Sequence, residues 1–219
     1  MQELTKEEIR HIIAKRVAQE FNDGDVVTLG IGLPTLAADY IDSDKHVVLH
    51  SENGIIGVGK TPEESMADER ITNAGGRLVS IEEGGCYFDS FQSFCMIRGG
   101  HINATVLGGL QVDEKGNLAN WLVPGKLVPG MGGAMDLVVG AQKVIVAMEH
   151  TNQGKPKILK QCTLPLTAAN EVDMIITEKG VFTIDATGLT LIEISPYATL
   201  EDIQATTEAE FKVSEKLKA

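Results

Sequence analysis

The sequence predicts an α/β fold built on an open, mixed and mostly parallel sheet flanked by helices. Three features point to it. Short apolar runs recur along the chain, several of them apolar at every position, as in strands buried on both faces. Helical patterns lie between some of these runs. The spacing is uneven, so some neighbouring strands pair antiparallel instead of repeating a strict βαβ unit.

The N-terminal segment reads as a helix. Thr5 and Glu8 stand at capping-box spacing, and Ile9, Ile12, Ile13, Val17 and Phe21 recur on one helical face. Asn22-Asp23-Gly24-Asp25 stops it. Val26–Leu29 is a strand candidate running into Gly30-Ile31-Gly32-Leu33-Pro34, and a helix can start at Pro34, where a missing N–H is no loss. Further strands are expected at His46–His50, Arg77–Ile81, Ala104–Leu107, Lys143–Met148, Met174–Thr177, Val181–Ile184 and Leu189–Ile194. Helices are expected near Pro62–Ile71 and Thr199–Ala205, and the polar last dozen residues read as a frayed helix or tail. No repeat, low-complexity tract or linker divides the 219 residues, so a single domain over 1–219 is expected.

Apolar residues make up 43% and charged residues 23%, which excludes a disordered chain. The balance of 19 Lys+Arg against 31 Asp+Glu gives a net charge of −12, a surface that repels the phosphates of nucleic acids and membranes, so neither is an expected partner. Only 5% of residues are aromatic, too few for a stacking platform. Cys86, Cys95 and Cys162 form no CxxC and are odd in number, which fits free thiols in a reducing compartment. The first twenty residues lack the apolar core of a signal peptide, and no apolar run reaches the ~18 residues of a membrane span. A cytoplasmic protein is expected.

Gly54-Ile55-Ile56-Gly57-Val58-Gly59-Lys60-Thr61 fits the phosphate-binding pattern G-x-x-x-x-G-K-[ST], and it follows a strand candidate. The match rests on four fixed positions, and Val181–Asp185 is the best partner strand ending in a magnesium-binding Asp. Gly30-Ile31-Gly32 and Gly130-Met131-Gly132-Gly133 each begin like a dinucleotide fingerprint, but their sixth positions are Thr35 and Met135. Such glycines serve either close backbone packing or a run of amides that meets an anion. Ser51-Glu52-Asn53-Gly54 also has two readings. Asn-Gly between apolar runs signals a hairpin turn with a solvated Glu52. A carboxylate at the carboxyl end of a strand, however, stands where open α/β sheets bind ligands. The five His form no metal constellation: His50 and Glu52 share a face but are too few, and Glu149 and His150 diverge on a strand. No metal site is expected, no Ser sits in a G-x-S-x-G elbow, and no Cys has a motif context.

Five longer segments carry a resemblance. They are Ser51-Glu52-Asn53-Gly54-Ile55-Ile56-Gly57, Phe94-Cys95-Met96-Ile97-Arg98-Gly99-Gly100-His101, Gly116-Asn117-Leu118-Ala119-Asn120-Trp121, Gly130-Met131-Gly132-Gly133-Ala134-Met135-Asp136-Leu137 and Cys162-Thr163-Leu164-Pro165-Leu166-Thr167. With Ile176–Glu178 and Gly188–Glu193 they make the chain similar, nearly from end to end, to the B (beta) subunit of class I CoA-transferases, the 3-oxoacid and acetate or butyrate–acetoacetate group. The resemblance implies an open α/β fold, a partner A (alpha) subunit and an A2B2 heterotetramer. It implies that Glu52 is the nucleophile of a ping-pong cycle, in which coenzyme A is a substrate and forms a covalent glutamyl-CoA thioester, with no permanently bound cofactor. It implies that the Gly133 amide is an oxyanion donor with Gly132 and Ala134 beside CoA, and that a second donor, a Gln, belongs to the A subunit. The family's Gly-x-Gly-Pro continuation after S-E-N-G is here Lys60-Thr61-Pro62, a departure that creates the phosphate-loop match. A P-loop hydrolase and a catalytically silent acyl-CoA-binding subunit stand as the alternatives.

Overall fold

The computed structural model describes residues 4–125 and 130–217. Its strands are Val26–Leu29 (β1), Val48–Ser51 (β2), Ile55–Val58 (β3), Ile81–Tyr87 (β4), Ala104–Gly108 (β5), Gln111–Asp113 (β6), Leu118–Ala119 (β7) and Val144–Ala147 (β8), followed by Thr151–Asn152 (β9), Lys155–Pro156 (β10), Ile158–Leu159 (β11), Met174–Ile176 (β12), Gly180–Asp185 (β13), Gly188–Ile194 (β14) and Lys212–Val213 (β15). The α-helices are Lys6–Ala18 (α1), Ser90–Arg98 (α2), Ala134–Gly140 (α3) and Leu200–Thr206 (α4).

Ten strands form the main sheet in the order β15-β14-β13-β12-β8-β5-β1-β2-β3-β4. The five central strands, β12-β8-β5-β1-β2, are parallel. Antiparallel pairs extend them on both sides, β2-β3-β4 on one and β12-β13-β14 on the other. The sheet is therefore mixed, open and parallel at its centre, as the apolar runs predicted.

Side-chain alternation explains those runs. Along β8, Val144 and Val146 enter one core while Ile145 and Ala147 enter the other. β12 divides in the same way, with Ile175 on one face and Met174 and Ile176 on the opposite one. A strand with a core on each face has no polar side to show, hence continuous hydrophobicity. Ile13, Val17 and Phe21, from α1 and the residues after it, fill one core, while Ile97 of α2, Leu137 and Val138 of α3 and Ile203 of α4 fill the other. At about 1.5–3 kcal/mol per buried aliphatic side chain, these two layers hold the sheet.

The capping box of α1 forms as its spacing predicted: the Glu8 amide donates to Thr5 Oγ1 at 3.2 Å, and the Thr5 amide donates to Glu8 Oε2 at 2.7 Å. Thr199 caps α4 by accepting from the Asp202 amide. Four expectations change. Pro34–Tyr40 is a 3-10 helix. The expected helix over Pro62–Ile71 reduces to a 3-10 turn at Glu64–Met66, which buries no residue and so lacks the packing that holds a short helix. The strand expected at Arg77–Ile81 begins only at Ile81 and runs to Tyr87. The C-terminal segment is not a frayed helix: Lys212–Val213 pairs parallel with β14, and a 3-10 turn follows at Glu215–Leu217, while residues 218–219 of that expected tail lie outside the described residues.

Candidate active site

Because the central strands are parallel, their carboxyl ends share one edge, where open α/β sheets place their sites. Glu52 follows β2 at that edge. The two readings of Ser51-Glu52-Asn53-Gly54 prove compatible: the segment is the tight turn of the antiparallel β2–β3 pair, and it presents Glu52 at a strand end.

Each neighbour of Glu52 is tied down. Ser51 Oγ accepts from the Ala74 amide at 2.9 Å, and Asn53 Nδ2 donates to the Thr72 carbonyl at 2.8 Å. The Gly54 amide donates to the Ser51 carbonyl at 2.9 Å, and the Gly54 carbonyl accepts from Phe88 N–H at 3.0 Å. Gly54 has φ +117°, and a Cβ there would collide with the Phe88 carbonyl, so only glycine fits this corner. The turn is thus held from both sides, and the Glu52 side chain is left to point across the strand end.

Its partner comes from 81 residues away: the Gly133 amide donates to Glu52 Oε1 at 3.1 Å. Gly133 precedes the first turn of α3, where backbone donors have no partner within the helix. A Cβ on Gly133 would lie 2.8 Å from Glu52 Oε2 and 2.9 Å from Phe94 Cζ, so the close approach requires glycine. Gly132 adjoins the same oxygen, with φ +55° and room for a Cβ only 3.4 Å from Oε1. Ala134 is buried, and its amide donates to the Met131 carbonyl at 3.2 Å, inside the loop. The structure therefore brings Glu52, Gly132 and Gly133 together, with Ala134 behind them.

α2 and α3 form the wall of this site as one unit. Arg98 Nε donates to Asp136 Oδ1 at 2.6 Å, and the Arg98 guanidinium lies 5.7 Å from the Phe94 ring centroid. A Cβ on Gly140 would strike the Ile97 carbonyl, so the two helices approach backbone to backbone. Beneath the turn, His50 is buried between Thr28 and Ser93, and burial pushes its imidazole down to about 4. Sequence reasoning assigned no role to Phe88, Ser93 or Phe94. Phe94 lies in a quoted motif, whereas Phe88 and Ser93 carry no pattern that periodicity could detect.

The phosphate-loop match fails on geometry. Ile55–Val58 is a strand paired on both sides, with β2 and β4, so its backbone groups serve the ladder and do not form a cradle. No α-helix follows Lys60-Thr61, and Asp185 is exposed and accepts from Thr187 in its own turn. His150, the other candidate by adjacency to Glu149, is a buried structural residue bonded to Thr177 and Thr207. Among the described residues no three His, Cys, Asp or Glu side chains gather as a metal would require, and no helix is long and apolar enough to cross a membrane.

A carboxylate held at a sheet's ligand-binding edge, with one oxygen on a backbone amide, can serve as a nucleophile whose developing negative charge is met by a fixed donor. Comparison with known proteins identifies the family. Residues 10–206 match the coenzyme A transferase family. The chain is 52% identical over 210 residues to the acetate CoA-transferase subunit beta of Haemophilus influenzae, covering 95% of this chain and 94% of that one. It is 53% identical over 209 residues to the mitochondrial succinyl-CoA:3-ketoacid coenzyme A transferase 2B of Mus musculus, of which it covers 40%. Its fold matches an acyl-CoA transferase of Escherichia coli O157:H7 solved as a thioester complex with CoA, with TM-score 0.75, 24% identity, and 99% of this chain covering 43% of that one. The chain belongs to the coenzyme A transferase family and is an enzyme subunit of its beta type.

Proposed function

We propose that this chain carries the nucleophile of a two-subunit CoA-transferase that moves CoA between an acyl-CoA and a free short-chain or 3-oxo carboxylic acid. What supports the reading is the contact between Glu52 Oε1 and the Gly133 amide, made by a turn whose other residues are all restrained. With Oε1 on the amide, Oε2 attacks the donor thioester carbonyl. CoA thiolate leaves and an acyl–glutamyl anhydride remains. The thiolate then attacks Glu52 Cδ, the negative charge collects on Oε1, and the donor acid departs, leaving glutamyl-CoA. The acceptor acid repeats these steps in reverse, so thioester energy is conserved as long as water is kept out. CoA is a substrate throughout and is regenerated on the product.

The relatives' printed names, acetate and succinyl-CoA:3-ketoacid, suggest acetate, acetoacetate and succinate as the acids to try first. The designation beta implies an alpha partner, and an A2B2 assembly in the cytoplasm completes the proposal. The test is co-expression with that partner, followed by initial rates over a matrix of donors and acceptors. Parallel double-reciprocal lines and loss of turnover in Glu52→Gln are expected. Intersecting lines, or full turnover by the purified single chain, would contradict the reading, because one missing oxyanion donor alone costs about 10²–10³ in rate. Normal CoA-ester binding with normal turnover in Glu52→Gln would contradict it as well, and acyl-CoA binding without any transfer would favour a silent binding subunit.

A further inference from the structure

We propose that His50 is a positioning residue of this site: its imidazole bridges Thr28 on β1 to Ser93 on α2 and thereby fixes the helix that backs Gly133 relative to the Glu52 turn. The proposal rests on Glu52 being the nucleophile. Both ring nitrogens are used, Nδ1 at 2.8 Å from Thr28 Oγ1 and Nε2 at 3.0 Å from Ser93 Oγ. All three residues are buried, at 3%, 3% and 0% exposure. They belong to three elements, the two adjacent parallel strands β1 and β2 and helix α2.

The bridge is connected to both halves of the site. Ser93 immediately precedes Phe94, whose ring edge stands against Gly133. His50 itself lies two residues before Glu52 and stacks on Phe88, with ring centroids 6.1 Å apart and planes 8° from parallel. Phe88 in turn donates its N–H to Gly54, the last residue of the turn, and the next residue, Asp89, caps α2. One imidazole therefore touches the path to the nucleophile and the path to the donor. An apolar side chain could fill this volume, but it would leave two buried hydroxyls without this partner and would set the helix position only by soft packing. Hydrogen bonds fix distance and direction more tightly, and misplacement by about 1 Å is enough to slow a reaction roughly 10²-fold.

The test uses the co-purified two-subunit enzyme with His50→Leu, His50→Gln and Ser93→Ala. The readouts are kcat, KM and the rate at which acyl-CoA, without acceptor acid, places CoA on Glu52. His50→Leu and Ser93→Ala should each lower kcat and the labelling rate together by about 10- to 100-fold, with KM for acyl-CoA within about threefold of wild type. His50→Gln should be slowed several-fold less than His50→Leu, because its amide can keep a hydrogen bond to Ser93 near the place of Nε2. Wild-type labelling by Ser93→Ala, or equal slowing by Gln and Leu at position 50, would overturn the proposal. So would a raised KM at unchanged kcat. Should His50→Leu fail to assemble, Ser93→Ala, which removes a single oxygen, decides the matter. Failure of the nucleophile reading has a different signature: the wild-type enzyme itself would carry no CoA on Glu52.

Discussion

Glu52 and Glu178 occupy equivalent places in the sheet yet have different surroundings. Both follow the carboxyl end of a central parallel strand, β2 and β12, and both accept a backbone N–H: Gly133 to Glu52 at 3.1 Å, His150 to Glu178 at 2.8 Å. For Glu178 the donor follows the adjacent strand β8, the side chain is 8% exposed, and burial pushes its carboxyl above the ordinary value. That glutamate closes the end of the sheet. For Glu52 the donor comes from a glycine loop across the edge, the side chain is half-buried, and bare backbone faces it. A carboxylate at a strand end is thus not defined by its position. On the proposed mechanism Glu52 reacts and Glu178 does not, and what distinguishes the two is the source of the donor and the depth of burial.

Substitution at the two glutamates should separate them most widely. Glu52→Gln should lower kcat by about 10⁴-fold or more, as loss of a covalent nucleophile does, while shifting stability by no more than about 0.5 kcal/mol in a denaturant titration. Glu178→Ala should do the opposite, costing about 1–3 kcal/mol by stranding the His150 amide, while the folded enzyme still accepts CoA on Glu52. Next in size is Gly133→Val, which fills the space between Glu52 and Phe94 and should slow transfer about 10²–10³-fold by displacing the donor.

Acid should weaken both ends of this comparison, because each rests on a buried histidine. Burial pushes both His50 and His150 down to about 4. The unfolded chain takes up these protons near pH 6.5, so between about 6.5 and 4 it binds more protons than the folded chain and stability falls as pH falls, by on the order of a few kcal/mol for each histidine. Glu178, with its carboxyl held up, acts with the opposite sign and favours the folded state at low pH. Thermal melts across that interval should show Tm falling, with a shallower slope in His150→Gln. The smallest effect concerns thiols. Burial and the neighbouring Asp113 push Cys162 up to about 12, so an alkylating reagent at pH 8 should modify the exposed Cys86 and Cys95 well before it.

The same contrast explains what could be read from the sequence. β8 and β12 were visible because two cores demand apolar residues at every position, and β1, β5, β13 and β14 because most of their residues are apolar. α1 and α4 were visible through their caps. Around Glu52, β2 was expected at His46–His50, but β3, α2 and α3 were not expected and β4 was misplaced. β4 reads IEEGGCY and is largely exposed at the sheet edge. α2 shows Phe91 to solvent at 75% exposure and α3 shows Val139 at 68%, so their apolar residues trace no single buried face. α3 is also only seven residues long and opens on glycines. Regions built to face something other than the chain's own core lose the periodicity that sequence reading depends on. The glycine pattern was misleading for a related reason: Gly54 and Gly57, both with positive φ, shape a hairpin turn and a bulged strand, which resembles a phosphate loop only in spacing.

The most direct measurement is mass spectrometry of the assembled enzyme after incubation with acyl-CoA and no acceptor acid. The first half-reaction needs no acceptor, so CoA should be found as a thioester on the peptide carrying Glu52, removable by borohydride and absent in Glu52→Gln. CoA attached instead to Cys95 or Cys86, or full turnover with no adduct on Glu52 at any time, would contradict the account.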